Sequence, residues 1–159
     1  MNKSFFIFII LFPIKLLSLE VKCDFEEVYS DGSIQQGFFL LKEKKLRYEY
    51  YDKNLFTIFY KNDEFFIVNK SDKSNFQKIL SNTDHIKELI NISTNYPNIE
   101  KEYFKENLKI SLEENDIGFY KRISIIAENL ALSIYLNNCN FEKYHNRFYN
   151  YSPYFDYFD

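Results

Sequence analysis

The chain has 159 residues, 46% apolar and 27% charged, with 20 basic against 23 acidic residues and a net charge of −3. That length suits one domain and that apolar share a real core, which argues against intrinsic disorder. The lack of a basic excess argues against a nucleic-acid partner, and three glycines exclude collagen-like and glycine-linker chains.

Residues 1–18 have the pattern of a secretory signal peptide. Lys3 supplies a positive start, and residues 5–14 form an apolar run too short for a bilayer of about 30 Å. Ser18 is a small residue at a plausible cleavage point. The alternative is an uncleaved anchor, against which Lys15 interrupts the run. Residues 19–159 are then a single exported domain, more acidic than the whole chain. The cysteines are Cys23 and Cys139. A pair in an exported chain suggests one disulfide. No C-x-x-C is present and the histidines are His85 and His145, so no metal site is expected. Glu20 and Lys22 spoil a lipobox at Cys23, which disfavours lipidation of that cysteine.

From residue 21 the chain alternates β-prone runs with turn signals. Strands are expected at 21–29, 34–41, 46–51, 55–60 and 64–69. Between them lie Ser30-Asp31-Gly32-Ser33, the charged turn 42–45, Asp52-Lys53-Asn54 and Lys61-Asn62-Asp63. Such tight connections predict an antiparallel meander. Ser81 to Asp84 offer helix caps, and Ile86, Leu89 and Ile90 recur at helical spacing, which predicts a helix over 83–93 ended by Tyr96-Pro97. A further helical turn is expected within 99–105. Strands resume where Leu108, Ile110 and Leu112 alternate with polar residues, then at 120–126 and 130–136, where Leu130, Leu132, Ile134 and Leu136 share a face. The tail from Phe141 is rich in aromatics and is expected to dock on the body, because apolar area leaving water is worth roughly 25 cal/mol per Å².

Phe38 to Leu41 and Phe65 to Val68 are apolar on both faces. Two accounts fit. A helix packs on one face while AT-rich codon usage makes the other apolar, or the sheet curves round an apolar cavity covered by helices. Catalytic signatures are missing: the chain has no G-x-S-x-G, P-loop, H-E-x-x-H or G-x-G-x-x-G. In Glu26-Glu27 and Glu113-Glu114, neighbours on a strand point to opposite faces, so each pair suits one inward or edge group and one solvated group better than a glycosidase couple. No enzyme activity and no cofactor are expected.

Gln36-Gly37-Phe38-Phe39-Leu40-Leu41-Lys42, followed by Leu46-Arg47-Tyr48-Glu49-Tyr50, resembles the LolA family of periplasmic lipoprotein carriers. That family runs a small residue and Gly, an aromatic–Leu strand ending in Lys, a basic turn, then Leu-Arg-aromatic-Glu-Tyr. Residues 56–69, the hairpin from Lys121 to Ile125 onward, and the tail around Pro153 are similar more loosely. The chain departs from the pattern in lacking prolines after Tyr50, the glycine at Asn62-Asp63 and any tryptophan, and in carrying its cysteine pair.

The resemblance implies a mainly β, α+β fold: an incomplete antiparallel half-barrel with a helical lid over an apolar cavity. It implies a carrier that shields acyl chains of lipoproteins between inner and outer membrane. The partners would be acylated lipoproteins or lipid, an inner-membrane release complex and an outer-membrane receptor, with the carrier itself a monomer. Phe38, Leu40, Tyr48, Ile58 and Phe65 are the expected cavity residues, although ordinary core is an equal account of them. Arg47 matches the family's strand arginine, which holds the lid through hydrogen bonds to helix backbone; the alternative is an arginine paired with Glu49 on the same face. Against the carrier stand a lipid- or protein-binding sensor on the same fold, an outer-membrane receptor, and a small hydrolase.

Overall fold

The computed structural model describes residues 20–72, 76–79, 84–94, 100–116 and 118–151. The expected signal peptide and its cleavage point, the helix stop at Tyr96-Pro97 and the tail beyond Tyr151 lie outside them. Ten strands run β1 (Glu20–Tyr29), β2 (Ile34–Lys42), β3 (Lys45–Tyr50), β4 (Phe56–Lys61), β5 (Glu64–Asn69), β6 (Phe76–Ile79), β7 (Glu102–Lys105), β8 (Leu108–Glu114), β9 (Tyr120–Ala127) and β10 (Leu130–Asn140). Helix α1 (Asp84–Thr94) separates β6 from β7, and a short 3-10 helix, Asn146–Tyr149, follows β10.

All ten strands form one open antiparallel sheet in the order β6-β5-β4-β3-β2-β1-β10-β9-β8-β7. Two meanders, β1 to β6 and β7 to β10, meet where β1 pairs with β10. The turns explain the meanders. In the β4–β5 hairpin, Asn62 and Asp63 both have positive φ (54° and 62°), the left-handed pair of a two-residue I′ turn. Asparagine and aspartate tolerate that region, so the missing glycine is not needed there. Gly32 (φ 83°) serves the β1–β2 turn, where Asp31 accepts from the Ser33 amide at 2.9 Å and the Ser33 hydroxyl at 2.6 Å.

The five N-terminal strands, α1 and the three later strands lie where the sequence patterns place them, to within a few residues except that β10 runs on to Asn140. Two strands differ. The turn expected within 99–105 is strand β7, because Glu106 (φ 52°) starts a tight reversal that pairs Tyr103 with Ile110. Strand β6 was not expected; its four residues pair with β5 at the sheet edge. Both are edge strands of four residues, too short to display an alternation of their own.

Cys23 and Cys139 are joined by a disulfide, with Cα atoms 4.1 Å apart. It crosses the β1–β10 seam where the register shifts between Lys22 and Asp24, so it fastens the two meanders together. Gly37 in β2 answers a packing need. A Cβ there would lie 2.0 Å from the Glu49 carbonyl oxygen and 2.5 Å from the Phe25 ring. Glycine thus lets β2 and β3 approach while Phe25 covers the bare backbone.

One continuous core runs along one face of the sheet and includes α1. On the opposite face a smaller cluster holds Phe38, Leu40 and Tyr149. The tail supplies that cover. Tyr149 is 1% exposed, the Tyr144 amide donates to Glu20 Oε1 at 2.6 Å, Lys61 Nζ donates to Asn150 Oδ1 at 2.7 Å, and Tyr151 stacks on Phe76 at 4.8 Å. The two-sided apolar strands therefore have a different partner on each face. On the outer side that partner is the tail with its short 3-10 helix.

Candidate functional site: an apolar cavity with a buried glutamate

A cavity of about 260 Å³ lies between the sheet and α1. Its wall follows strand alternation. Every second residue of β10 (Leu130, Leu132, Ile134, Leu136) lines it, as do Phe39 and Leu41 of β2, Tyr48 and Tyr50 of β3, and Ile58 of β4. Ile123 and Ile125 of β9 form the far side. β4 and β9 are five strand steps apart, about 24 Å across a flat sheet at the usual spacing. Their sharing one small cavity means that the sheet is curved, with the cavity on its concave face. Ile86, Leu89 and Ile90 of α1 bring their shared stripe to the same cavity.

Hydrogen bonds tie α1 to its neighbours. Tyr120, 1% exposed, donates its hydroxyl to the Ile92 carbonyl at 3.0 Å, which satisfies an acceptor in the last helical turn. Glu88 accepts from Lys105 Nζ of β7 at 2.5 Å. That ammonium is the main reason why the Glu88 carboxyl is held below its usual pKa.

Of the expected cavity residues, Tyr48 and Ile58 are on the wall. Phe65 is buried in the same concave cluster, against Tyr60 at 4.6 Å, but beside the cavity. Phe38 and Leu40 differ from the expectation: they point to the outer face, under Tyr149. In a strand apolar on both sides a shift of one residue exchanges the faces, and Phe39 and Leu41 are the ones turned inward.

Arg47 also points outward, so the sheet lies between it and α1. The ion pair with Glu49 is formed: Arg47 Nε and Nη2 reach Glu49 Oε2 at 2.8 and 2.5 Å, and Lys70 Nζ reaches Oε1 at 3.1 Å. The guanidinium stands over the Phe59 ring at 5.4 Å. Arg47 and Glu49 are 3% and 5% exposed, so this is an internal charge cluster beneath the tail.

The polar feature of the cavity is Glu27 of β1, 4% exposed. Three tyrosine hydroxyls donate to it: Tyr29 to Oε2 at 2.7 Å, Tyr50 to Oε2 at 3.0 Å and Tyr48 to Oε1 at 2.6 Å. Burial, then the neighbouring Glu27 charge, raises the pKa of Tyr48 and Tyr50 far above the ordinary phenol value, and burial with the Glu27 hydrogen bond raises Tyr29. The phenols therefore stay protonated as donors. The cluster assembles across β1 and β3, so sequence spacing does not reveal it. One signal was available: Glu27 continues the inward series Val21, Cys23, Phe25, an acid in an apolar row. Glu26, its neighbour, points the other way and accepts from Gln36 at 2.8 Å. Glu113 and Glu114 are both exposed.

His145 caps the 3-10 helix, its Nδ1 accepting from the Arg147 amide at 3.2 Å. Among the described residues no group of three or more His, Cys, Asp or Glu side chains could hold a metal ion, and no helix is long and apolar enough to cross a membrane. No family model matches the chain, and no curated protein matches it.

Proposed function

We propose that this protein is a periplasmic carrier that shields the acyl chains of lipoproteins, or of lipid, on the way from inner to outer membrane. The observation that carries the reading is the apolar cavity between the concave sheet and α1. Each methylene removed from water is worth about 0.8 kcal/mol, so an acyl chain crosses an aqueous compartment only under cover. The resemblance of residues 36–50 to the lipoprotein carriers points the same way, and the disulfide suits an oxidising compartment. An inner-membrane release complex and an outer-membrane receptor complete the route in this reading.

α1 acts as the lid. A dry cavity of about 150 Å³ holds one benzene, so about 260 Å³ holds part of an acyl chain and not a complete lipid anchor. Loading then requires α1 to move. Its three inward side chains compete with the cargo for the same apolar wall, which keeps binding reversible.

The test is a release assay. Purified protein is added to spheroplasts holding labelled lipoprotein, and the soluble fraction is examined for a complex. Lipoprotein should appear with the wild-type chain and not with Leu132→Trp, which fills the cavity from β10. Release unchanged by the filled cavity, or no release where a control carrier works, would sink the proposal.

A further inference from the structure

We propose that the ligand held in this cavity carries a cationic ammonium group next to its apolar chain, and that Glu27 is its counter-charge. The proposal rests on the acyl-binding reading and specifies the head of the occupant. Among the described residues that line the cavity, Glu27 is the one acid and none is basic. A carboxylate taken out of water needs compensation. Three phenols supply part of it as hydrogen bonds, without a positive charge.

The geometry leaves room for one more donor. A carboxylate offers about four lone-pair directions. Tyr29 and Tyr50 both meet Oε2, whereas Oε1 meets Tyr48 alone among these phenols. Glu27 is itself part of the cavity wall, so a donor arriving with the ligand can reach it. An ammonium supplies that donor and the missing charge together. The rings of Tyr29, Tyr48, Tyr50, Phe39 and Phe56 line the cavity as well, and their faces attract a cation. An anionic head, whether a carboxylate or a phosphate, meets repulsion at the same place. A primary amine on an acyl-bearing molecule, such as a free α-amino group beside the chains, has the required chemistry.

The test uses the full chain and three probes of equal chain length, n-decylamine, n-decanol and decanoate, by calorimetric titration below their aggregation limits. Wild-type protein should bind the amine about tenfold more tightly than the alcohol, the gain expected of one charged hydrogen bond, and decanoate least. Glu27→Gln should abolish the amine's advantage over the alcohol. Tyr48→Phe keeps the ring, frees Oε1 further, and should keep or widen the preference, so the idea stays testable if Glu27→Gln does not fold. Equal binding of amine and alcohol, or tightest binding of decanoate, overturns the head-group assignment and leaves acyl binding standing. No binding of any probe overturns both.

Discussion

Replacing Gly37 with alanine should destabilise the protein through a single misplaced methyl group. The Cβ would lie 2.0 Å from the Glu49 carbonyl oxygen and 2.5 Å from the Phe25 ring, where ordinary contact begins at 3.4 Å. The ring can turn, but the carbonyl belongs to the neighbouring strand. Restoring contact moves β2 away from β3 by about 1.4 Å against a ladder spacing of about 4.8 Å, which strains the hydrogen bonds around the Gly37–Tyr50 pair. Overpacking of this kind costs about 1–3 kcal/mol, and the upper end applies because backbone must yield. Alanine returns about 0.4–1 kcal/mol by restricting the unfolded chain. The net loss is about 2 kcal/mol, or about 4–8 °C in Tm for a domain of this size. Gly32→Ala is the control. It meets nothing within 4 Å and has only its φ of 83° against it, a strain of about 1–2 kcal/mol less the same unfolded-state gain, so it should lower Tm by about 2–4 °C, less than Gly37→Ala. Thermal melts by circular dichroism decide. A Gly37→Ala protein melting within a degree of wild type refutes the reasoning. So does full rescue by Phe25→Leu, since the carbonyl contact remains.

Three further outcomes follow from the same structure. The disulfide closes a separation of 116 residues, worth roughly 4–5 kcal/mol in chain-entropy terms; Cys23→Ala with Cys139→Ala should lower Tm by about 10–15 °C, and a loss under about 3 °C would contradict that account. Arg47→Leu strands a buried Glu49 with Lys70 alone and should cost about 3 kcal/mol in urea titrations, while Arg47→Leu with Glu49→Leu should recover most of it; an equal loss in both variants rules out the charge explanation. The folded pKa values of Tyr29, Tyr48 and Tyr50 are raised above the free value of 10.0. The folded state therefore holds protons that the unfolded state releases, so the stability they add is complete below pH 10 and falls as pH rises beyond it. Tm should drop between about pH 10 and 11.5; titration of all 14 tyrosines in the native fold near pH 10 would be the contrary result.

Much of the fold was legible because it is written in local chemistry. Alternation, turn residues and cap residues act within a few positions, so β1 to β5, α1, β8 and β9 could be placed from the chain alone. The cysteine pairing needed no geometry, since just two cysteines exist. The alternation of Leu130 to Leu136 already named one wall of the cavity.

Elsewhere local chemistry has no vote. Phe38 and Leu40 are as apolar as Phe39 and Leu41, so the pattern of β2 cannot say which pair faces in; the tail, by seating Tyr149 on Leu40, and the cavity, by receiving Phe39, decide it. Arg47 beside Glu49 reads alike as latch or ion pair until the face is known. β6 and β7 are too short to signal themselves and exist through pairing with a neighbour. Glu27 lies 21 and 23 residues from two of its phenols, and only the hairpins that fold β1 to β3 onto one another bring them together. The sequence by itself determined the longer strands, the helix and the candidate partners of the disulfide, because these depend on neighbours in the chain. The tertiary structure decided which face is the inside and placed one acid there, because burial is a property of the assembled sheet.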